Sequence, residues 1–186
     1  MSLTCPSTSC EEYRTILVDP PWMETGGGRI KRGADRHYPV LSTPEIIAAI
    51  LRCELFRPAP SAHLYLWVTN NFLPEGLLVV QALGFCYKTL LTWAKDRFGL
   101  GRYFRGQTEH LIFATRGRHL PAKVRNQSTL IYARRGRHSA KPEESYTLIE
   151  SASPGPYLEL FARTKRPGWD CWGEEITNSS RLFMAS

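Results

Sequence analysis

Little in this chain of 186 residues points to a membrane, a metal or a nucleoside triphosphate. Its most apolar stretches, Ala62 to Thr69 and Leu77 to Leu83, are too short and too interrupted to cross a bilayer. The amino-terminal Met-Ser-Leu-Thr-Cys lacks the charged-then-apolar layout of a secretion signal. The five cysteines (Cys5, Cys10, Cys53, Cys86 and Cys171) are odd in number and scattered, which excludes a disulfide framework. No C-x-x-C pair joins a histidine cluster, so no metal site is expected. A G-x-G-x-x-G fingerprint and a Walker lysine loop are also missing. With 42% hydrophobic residues, the chain reads as one globular domain over 1–186 in a reducing cytoplasm, with flexible tails at 1–12 and 177–186.

One further shortage is informative. No acidic residue lies between Glu109 and Glu143, whereas Arg116, Arg118, Lys123, Arg125, Arg134, Arg135, Arg137 and Lys141 all do. The formal net charge is +7. A one-sided run of this length favours a polyanion over an ordinary solvated surface, and nucleic acid is the natural partner. A second basic stretch, Met23 to His37, holds Gly26, Gly27, Gly28, Arg29, Lys31, Arg32 and Arg36 with almost no apolar content. It reads as a mobile functional loop that closes over a base.

What is present begins with Asp19-Pro20-Pro21-Trp22 at the end of the apolar run Tyr13–Val18. A strand ending this way presents an acid, a rigid turn and an exposed aromatic at the carboxyl edge of a sheet, where open α/β folds bind ligands. Methyl transfer to an amine conjugated into an aromatic base fits such a turn. The amine is a poor nucleophile because its lone pair is delocalised into the ring. The Asp19 carboxylate and the Pro20 carbonyl can each accept one N–H, drawing the nitrogen towards tetrahedral geometry. Prolines have no N–H, so the turn shows the base acceptors only. Trp22 offers a face on which an extruded base can stack.

The remaining pattern alternates strands and helices. Ser42-Thr43-Pro44-Glu45 opens a helix, with a hydroxyl cap and a glutamate three residues later. Ala62–Thr69 reads as a buried strand and Phe72 to Leu83 as a helix stopped by Gly84. Phe85–Lys95, His110–Thr115 and Thr129–Ala133 read as strands, Pro142 to Ser151 as a helix and Tyr157–Ala162 as the last clear strand. The alternation predicts a parallel, doubly wound sheet. Cys53 and Cys86 read as core, as do Trp67 and Trp93. His63, in a strand pattern, reads as packed or hydrogen-bonded.

Several ordered blocks accompany the tetrapeptide. They include His37-Tyr38-Pro39, Leu66-Trp67-Val68-Thr69-Asn70, Leu91-Thr92-Trp93-Ala94-Lys95, Gly101-Arg102-Tyr103-Phe104-Arg105, Glu109-His110-Leu111, Lys141-Pro142-Glu143, Glu159-Leu160-Phe161-Ala162-Arg163 and Gly168-Trp169-Asp170. From about Tyr13 to Glu175 the chain resembles the MT-A70-like adenine N6-methyltransferases. The resemblance implies a Rossmann-like class I methyltransferase sheet of seven strands, mostly parallel, with helices on both faces. It is permuted, so that the Asp-Pro-Pro-Trp motif precedes the cofactor-binding segment.

It also implies S-adenosyl-L-methionine as cofactor. On this reading Val18 and Asp19 border the cofactor, Lys141 meets its carboxylate, and Arg163 reaches its ribose. Lys165, Glu174 and Glu175 stand where the family has other cofactor contacts. At the last two positions the family often carries Asn followed by Gln or Glu, so this chain departs from the pattern. Asp19, Pro20, Pro21 and Trp22 are the expected catalytic residues. Trp22, Arg29, Lys31, Arg32, Tyr38, Arg105, Arg116, Arg118, Arg134 and Arg135 are the expected nucleic-acid contacts. DNA is favoured over RNA, in a microbial or phage setting, with a second subunit, identical or different, able to help grip a duplex. Three alternatives stand beside this reading: RNA adenine methylation, N4-cytosine methylation of DNA, and a non-catalytic nucleic-acid-binding partner subunit.

Overall fold

The structure, a computed structural model, describes residues 11–23, 40–99, 101, 103–118, 120–124, 126–136 and 140–173. Its strands are β1 (Tyr13–Val18), β2 (Pro58–Val68), β3 (Cys86–Ala94), β4 (Thr108–Arg116), β5 (Leu130–Tyr132), β6 (Tyr157–Leu160) and β7 (Trp169–Trp172). The helices are α1 (Thr43–Arg52), α2 (Leu73–Ala82) and α3 (Glu143–Ala152), with a short 3-10 turn at Asn70–Phe72. All seven strands join one sheet in the order β5-β3-β4-β2-β1-β6-β7.

Period-two alternation sorts the side chains between two cores. Ile16, Val18, Leu64, Leu66, Val68 and Ile112 face α1 and α2, whose Ile46, Ile50, Val79 and Val80 pack against them. Leu17, Tyr65, Trp67 and Leu111 face the other way, towards Ile149 of α3 and Trp169. Helices therefore cover both faces, as a Rossmann-like methyltransferase sheet requires.

Local signals explain the element ends. The Glu45 carboxylate accepts from both the backbone N–H and the hydroxyl of Ser42 (2.8 and 2.6 Å), closing the first turn of α1. Gly84 follows α2 at φ 77°, a left-handed conformation that glycine adopts without a Cβ penalty. At Gly76 the reason for glycine is space. A Cβ there would sit 2.9 Å from Ile112 Cδ1, so α2 lies closer to the sheet than an alanine would allow.

The sheet is mostly parallel, as expected, with β4 running antiparallel to both β3 and β2. Among the described residues no helix separates β3 from β4, and a hairpin can only join antiparallel neighbours. Tyr157–Ala162, expected as the last clear strand, ends at Leu160 and is followed by Trp169–Trp172, a parallel edge strand that its short length and its Asp170 hid. Cys86 is exposed and not in the core. Among the described residues, β5 pairs with Thr92–Ala94, at the carboxyl end of β3.

Candidate active site

Asp19 stands one residue past β1, at the carboxyl edge of the sheet. Val18 is fully buried and pairs with Leu66 on one side and Leu160 on the other. The chain leaves β1 towards β2 in one direction, while β6 flanks it in the other, so this is the point where the strand order reverses. The Asp19 N–H donates to Leu160 O (3.2 Å), anchoring the acid to the end of β6.

The two prolines make a turn with internal fastenings. The carbonyl of Pro20 accepts the Trp22 N–H and that of Pro21 accepts the Leu41 N–H, both at 2.9 Å. Pro20 therefore uses one of its two lone-pair directions within the turn and keeps one for a ligand. Trp22 departs from expectation: it is 6% exposed and not a free platform. Its indole N–H donates to Trp67 O (2.9 Å), and its ring stacks on Phe72 at 5.4 Å between centroids. An indole that large finds more apolar contact beneath the turn than above it.

Around Asp19 the fold assembles charges from distant segments. Lys141 Nζ lies 2.7 Å from Asp19 Oδ1 and 3.0 Å from Glu109 Oε1. Lys95 Nζ lies 2.8 Å from the other oxygen of Glu109. Two carboxylates and two ammonium groups thus alternate in a chain whose side chains are all less than one-fifth exposed. Burial by itself would raise the Glu109 pKa, but Lys141 and Lys95 outweigh it and bring it down to about 2. Burial would lower the Lys141 pKa, yet Asp19 and Glu109 hold it above the usual lysine value. Lys141 also lies 5.4 Å from the centroid of the Trp67 ring. The buried Trp67 indole N–H has no hydrogen-bond partner among the described residues.

A second acid sits close by on β6. Glu159 is buried between Leu158 and Leu160 and accepts a hydrogen bond from the Tyr146 hydroxyl on α3 (2.8 Å). Burial, reinforced by the Asp19 charge, pushes its pKa up to about 7, well above the usual carboxylate range. Burial and Glu159 push the Tyr146 phenol up in turn. Arg166 stacks over the Tyr146 ring (3.7 Å) and forks onto the Glu143 carboxylate, which fixes the start of α3 beside Lys141.

The residues expected at the site divide three ways. Val18, Asp19, Pro20, Pro21, Trp22 and Lys141 converge as described. Arg163 and Lys165 follow β6 at the same edge, in a turn tied to β7 by the Ala162 N–H on Trp172 O. Arg105, in the β3–β4 hairpin, and Arg134 and Arg135, past β5, also lie at this edge and are exposed.

Arg116 and Arg118 do not. Arg116 pairs with Ala62 at the opposite end of β4 from Glu109, roughly 20–25 Å away at ~3.4 Å per residue. Because β4 is reversed, the first arginines of the acid-free run lie at the opposite edge of the sheet from the site. Arg29, Lys31, Arg32, Tyr38, Glu174 and Glu175 lie outside the described residues, as do the Gly26–Gly28 loop, residues 1–10 of the amino-terminal tail and the carboxyl-terminal tail.

Lys95, Glu109, Tyr146 and Glu159 were not singled out from sequence as site residues. Signals for two of them existed. Glu159 is an acid between two buried leucines, and Glu109 stands near the start of β4, just ahead of its apolar centre and of the acid-free run. Nothing in sequence joins Lys95 to Lys141; the pairing of β3 with β4 and the start of α3 bring them to one carboxylate.

The chain is similar to known proteins over most of its length. The MT-A70 family model matches residues 13–175. The type II methyltransferase M.MunI of Mycoplasma sp is 30% identical, in an alignment covering 94% of this chain and 82% of that protein. Human METTL4, an N(6)-adenine-specific methyltransferase, is 29% identical over 88% of this chain and 37% of its own length. The human N(6)-adenosine-methyltransferase catalytic subunit METTL3 is 26% identical over 89% of this chain and 28% of its own length. The chain therefore spans most of one relative and about a third of the others. With an Asp-Pro-Pro-Trp turn at the reversal point of a seven-stranded sheet and a family match over nearly its whole length, the chain belongs to the MT-A70 family of adenine N6-methyltransferases.

Proposed function

We propose that this chain transfers a methyl group from S-adenosyl-L-methionine to the N6 amine of adenine in DNA, with Asp19 as the residue that holds the amine. The observation that carries this reading is the convergence of Asp19, Lys141 and Glu109 at the carboxyl edge of β1. Asp19 meets Lys141 through Oδ1, and its carboxylate has a second oxygen able to accept an N6–H. The Pro20 carbonyl is the second acceptor. Together they turn the nitrogen lone pair out of conjugation and stabilise the positive charge that builds on N6 as the N–C bond forms. Trp22 supports the turn from below.

The donor set fits the cofactor. S-adenosyl-L-methionine carries a carboxylate, an ammonium group and two ribose hydroxyls. The site offers the Lys141 ammonium and the Glu159 carboxyl, with Arg163 and Lys165 beside them. When bound, the cofactor supplies an electrophilic methyl on sulfur. Val18 and Asp19 border its place, Lys141 holds its carboxylate, and Arg163 and Lys165 lie on the ribose side. Glu174 and Glu175 complete this reading from sequence. Arg29, Lys31, Arg32, Tyr38, Arg105, Arg134 and Arg135 hold the nucleic acid, in which role Arg116 and Arg118 have no support from their position.

DNA is favoured by the likeness to a type II methyltransferase over 82% of that protein's length. The relatives named as adenosine methyltransferases make RNA the second reading. Incubation with labelled cofactor and matched DNA and RNA oligomers, followed by nucleoside digestion and mass analysis, decides between them. N6-methyldeoxyadenosine is the expected product. N6-methyladenosine alone establishes the second reading, and absence of label in either nucleic acid overturns both.

A further inference from the structure

Five aromatic side chains are exposed among the described residues, namely Tyr87, Phe98, Tyr103, Phe104 and Tyr132. Four of them lie past the carboxyl ends of β3 and β5, on the side of the sheet that carries Asp19. Phe98, Tyr103 and Phe104 belong to the β3–β4 hairpin, and Tyr132 ends β5 beside Ala94. Tyr103 is 91% exposed and Phe104 89%, values at which a ring makes little contact with its own chain.

These rings are displayed by a fastened structure. The Lys95 N–H donates to Gln107 O, and the Gln107 side-chain amide returns a bond to Lys95 O, both at 2.9 Å. Nearer the tip, the Gly99 N–H donates to Gly106 O, and the Arg105 guanidinium donates to Gly99 O at 2.6 Å. The hairpin is tied to the segment after β5, since Asp96 accepts the Arg135 N–H (2.9 Å) and the Trp93 indole donates to Ala133 O (2.8 Å). The two segments form one surface. Arg97, Arg105, Arg134 and Arg135 are exposed on it, against one exposed acid among the described residues, Asp96. Its base is Lys95, whose ammonium pairs with Glu109 in the charge chain that ends on Asp19.

We infer that Phe98, Tyr103, Phe104 and Tyr132 form a base-stacking surface for the nucleotides flanking the target adenine. The inference rests on the proposed action on nucleic acid and extends it to unassigned residues. Extruding the target adenine breaks the stack on which its neighbours sit. Aromatic side chains replace that stacking without regard to sequence, because every base has a π face. Interleaved arginines fit the phosphates between the stacked bases. A second copy of this chain fits worse: a two-fold contact would set the same arginines against themselves.

The test uses the full chain, the Tyr103→Ala/Phe104→Ala double variant and a fluorescein-labelled oligothymidylate, which contains no methyl acceptor. Both side chains stand in solvent, so thermal unfolding should match wild type. Stacking contributes about 1–3 kcal/mol per base, so the double variant should bind the probe about tenfold or more weakly. The slope of affinity against salt should stay unchanged, because no phosphate contact is lost. Tyr103→Phe should retain wild-type affinity. Equal probe affinity in wild type and double variant overturns the inference, as does a wild type that does not bind the probe at low salt. It is also overturned if sedimentation shows a wild-type dimer that the double variant turns into a monomer while probe binding is unmoved. Methylation of adenine-containing DNA by wild type is scored separately. If that reaction fails, the proposed function falls; if it proceeds while probe binding ignores the aromatics, only this inference falls.

Discussion

Helix α3 has a polar cluster at each end, and the two are built on opposite principles. Just before its start, Lys141 lies between Asp19 and Glu109, with Lys95 beyond. Just past its end, Ser153 Oγ lies 2.7 Å from both His63 Nδ1 and the Tyr65 hydroxyl, while His63 Nε2 is 2.9 Å from Leu120 O. Both clusters are largely buried. The second is made of a hydroxyl, a phenol and an imidazole, each held by neighbours, and burial pushes the Tyr65 phenol up to about 12. It satisfies polar groups that the packing has enclosed, and nothing in it needs a ligand. The first concentrates charge at a sheet edge, where desolvation is costly and a hydrophobic replacement would often be more stable. A fold keeps such an arrangement for a reason other than stability, and here the reason proposed is catalysis.

Substitutions should separate the two clusters. The largest effect expected is on turnover. Asp19→Asn removes the charge that stabilises N6 in the transition state and should lower kcat by about a hundredfold or more, with little loss of stability. Steady-state kinetics with a melting curve on the same sample is the measurement, and near-normal turnover with bound cofactor breaks the comparison.

Ser153→Ala should behave inversely. It removes the Ser153 hydroxyl that the Tyr65 phenol and His63 Nδ1 meet in the core, at a cost of about 1–3 kcal/mol in denaturant unfolding. Its kcat and cofactor affinity should stay as in wild type. Lys141→Met comes next, weakening cofactor binding by about tenfold or more for a lost charge-assisted bond. Calorimetry reads this directly, and unchanged affinity would place the cofactor carboxylate elsewhere.

Acid and base titrations sharpen the contrast further. Glu109 has a folded pKa of about 2 against 4.5 unfolded, so its stabilising contribution is complete above pH 4.5 and lost as pH falls towards 2. Glu159 has the opposite sign. Its folded pKa of about 7 lies above the unfolded 4.5, so its contribution is complete below pH 4.5 and lost as pH rises through 7. Glu159→Gln should therefore flatten the decline in stability between those values, as followed by denaturant titration at each pH. Smallest is the difference between arginine pairs. Arg134→Ala with Arg135→Ala should make the log–log salt dependence of duplex DNA binding shallower by about 2, at roughly 0.9 per phosphate. Arg116→Ala with Arg118→Ala, at the far edge, should leave it unmoved.

Much of the sheet was legible because the cues are local. Short β-rich apolar runs such as Tyr13–Val18 and Ala62–Thr69 mark strands whatever their neighbours, and Ser42 with Glu45 marks a helix start by bonds it makes within one turn. The motif at Asp19 was legible as well, since a proline pair after an apolar run constrains its own backbone. The burial of Trp22 was not, because a tryptophan after a turn can point up or down, and Phe72 with the Trp67 carbonyl decided it.

By itself, the sequence determined the element types, the family and the identity of the acid at the end of β1. Only the tertiary structure decided which charges meet that acid and which arginines share its edge. Lys95, Glu109, Lys141 and Glu159 are spread across 65 positions of chain, and their association depends on strand order and on the reversal of β4. The same reversal sends Arg116 away from the site and brings the β3–β4 hairpin towards it. Direction within a sheet is set by which hydrogen-bond ladders close around a common core, and no local propensity encodes it.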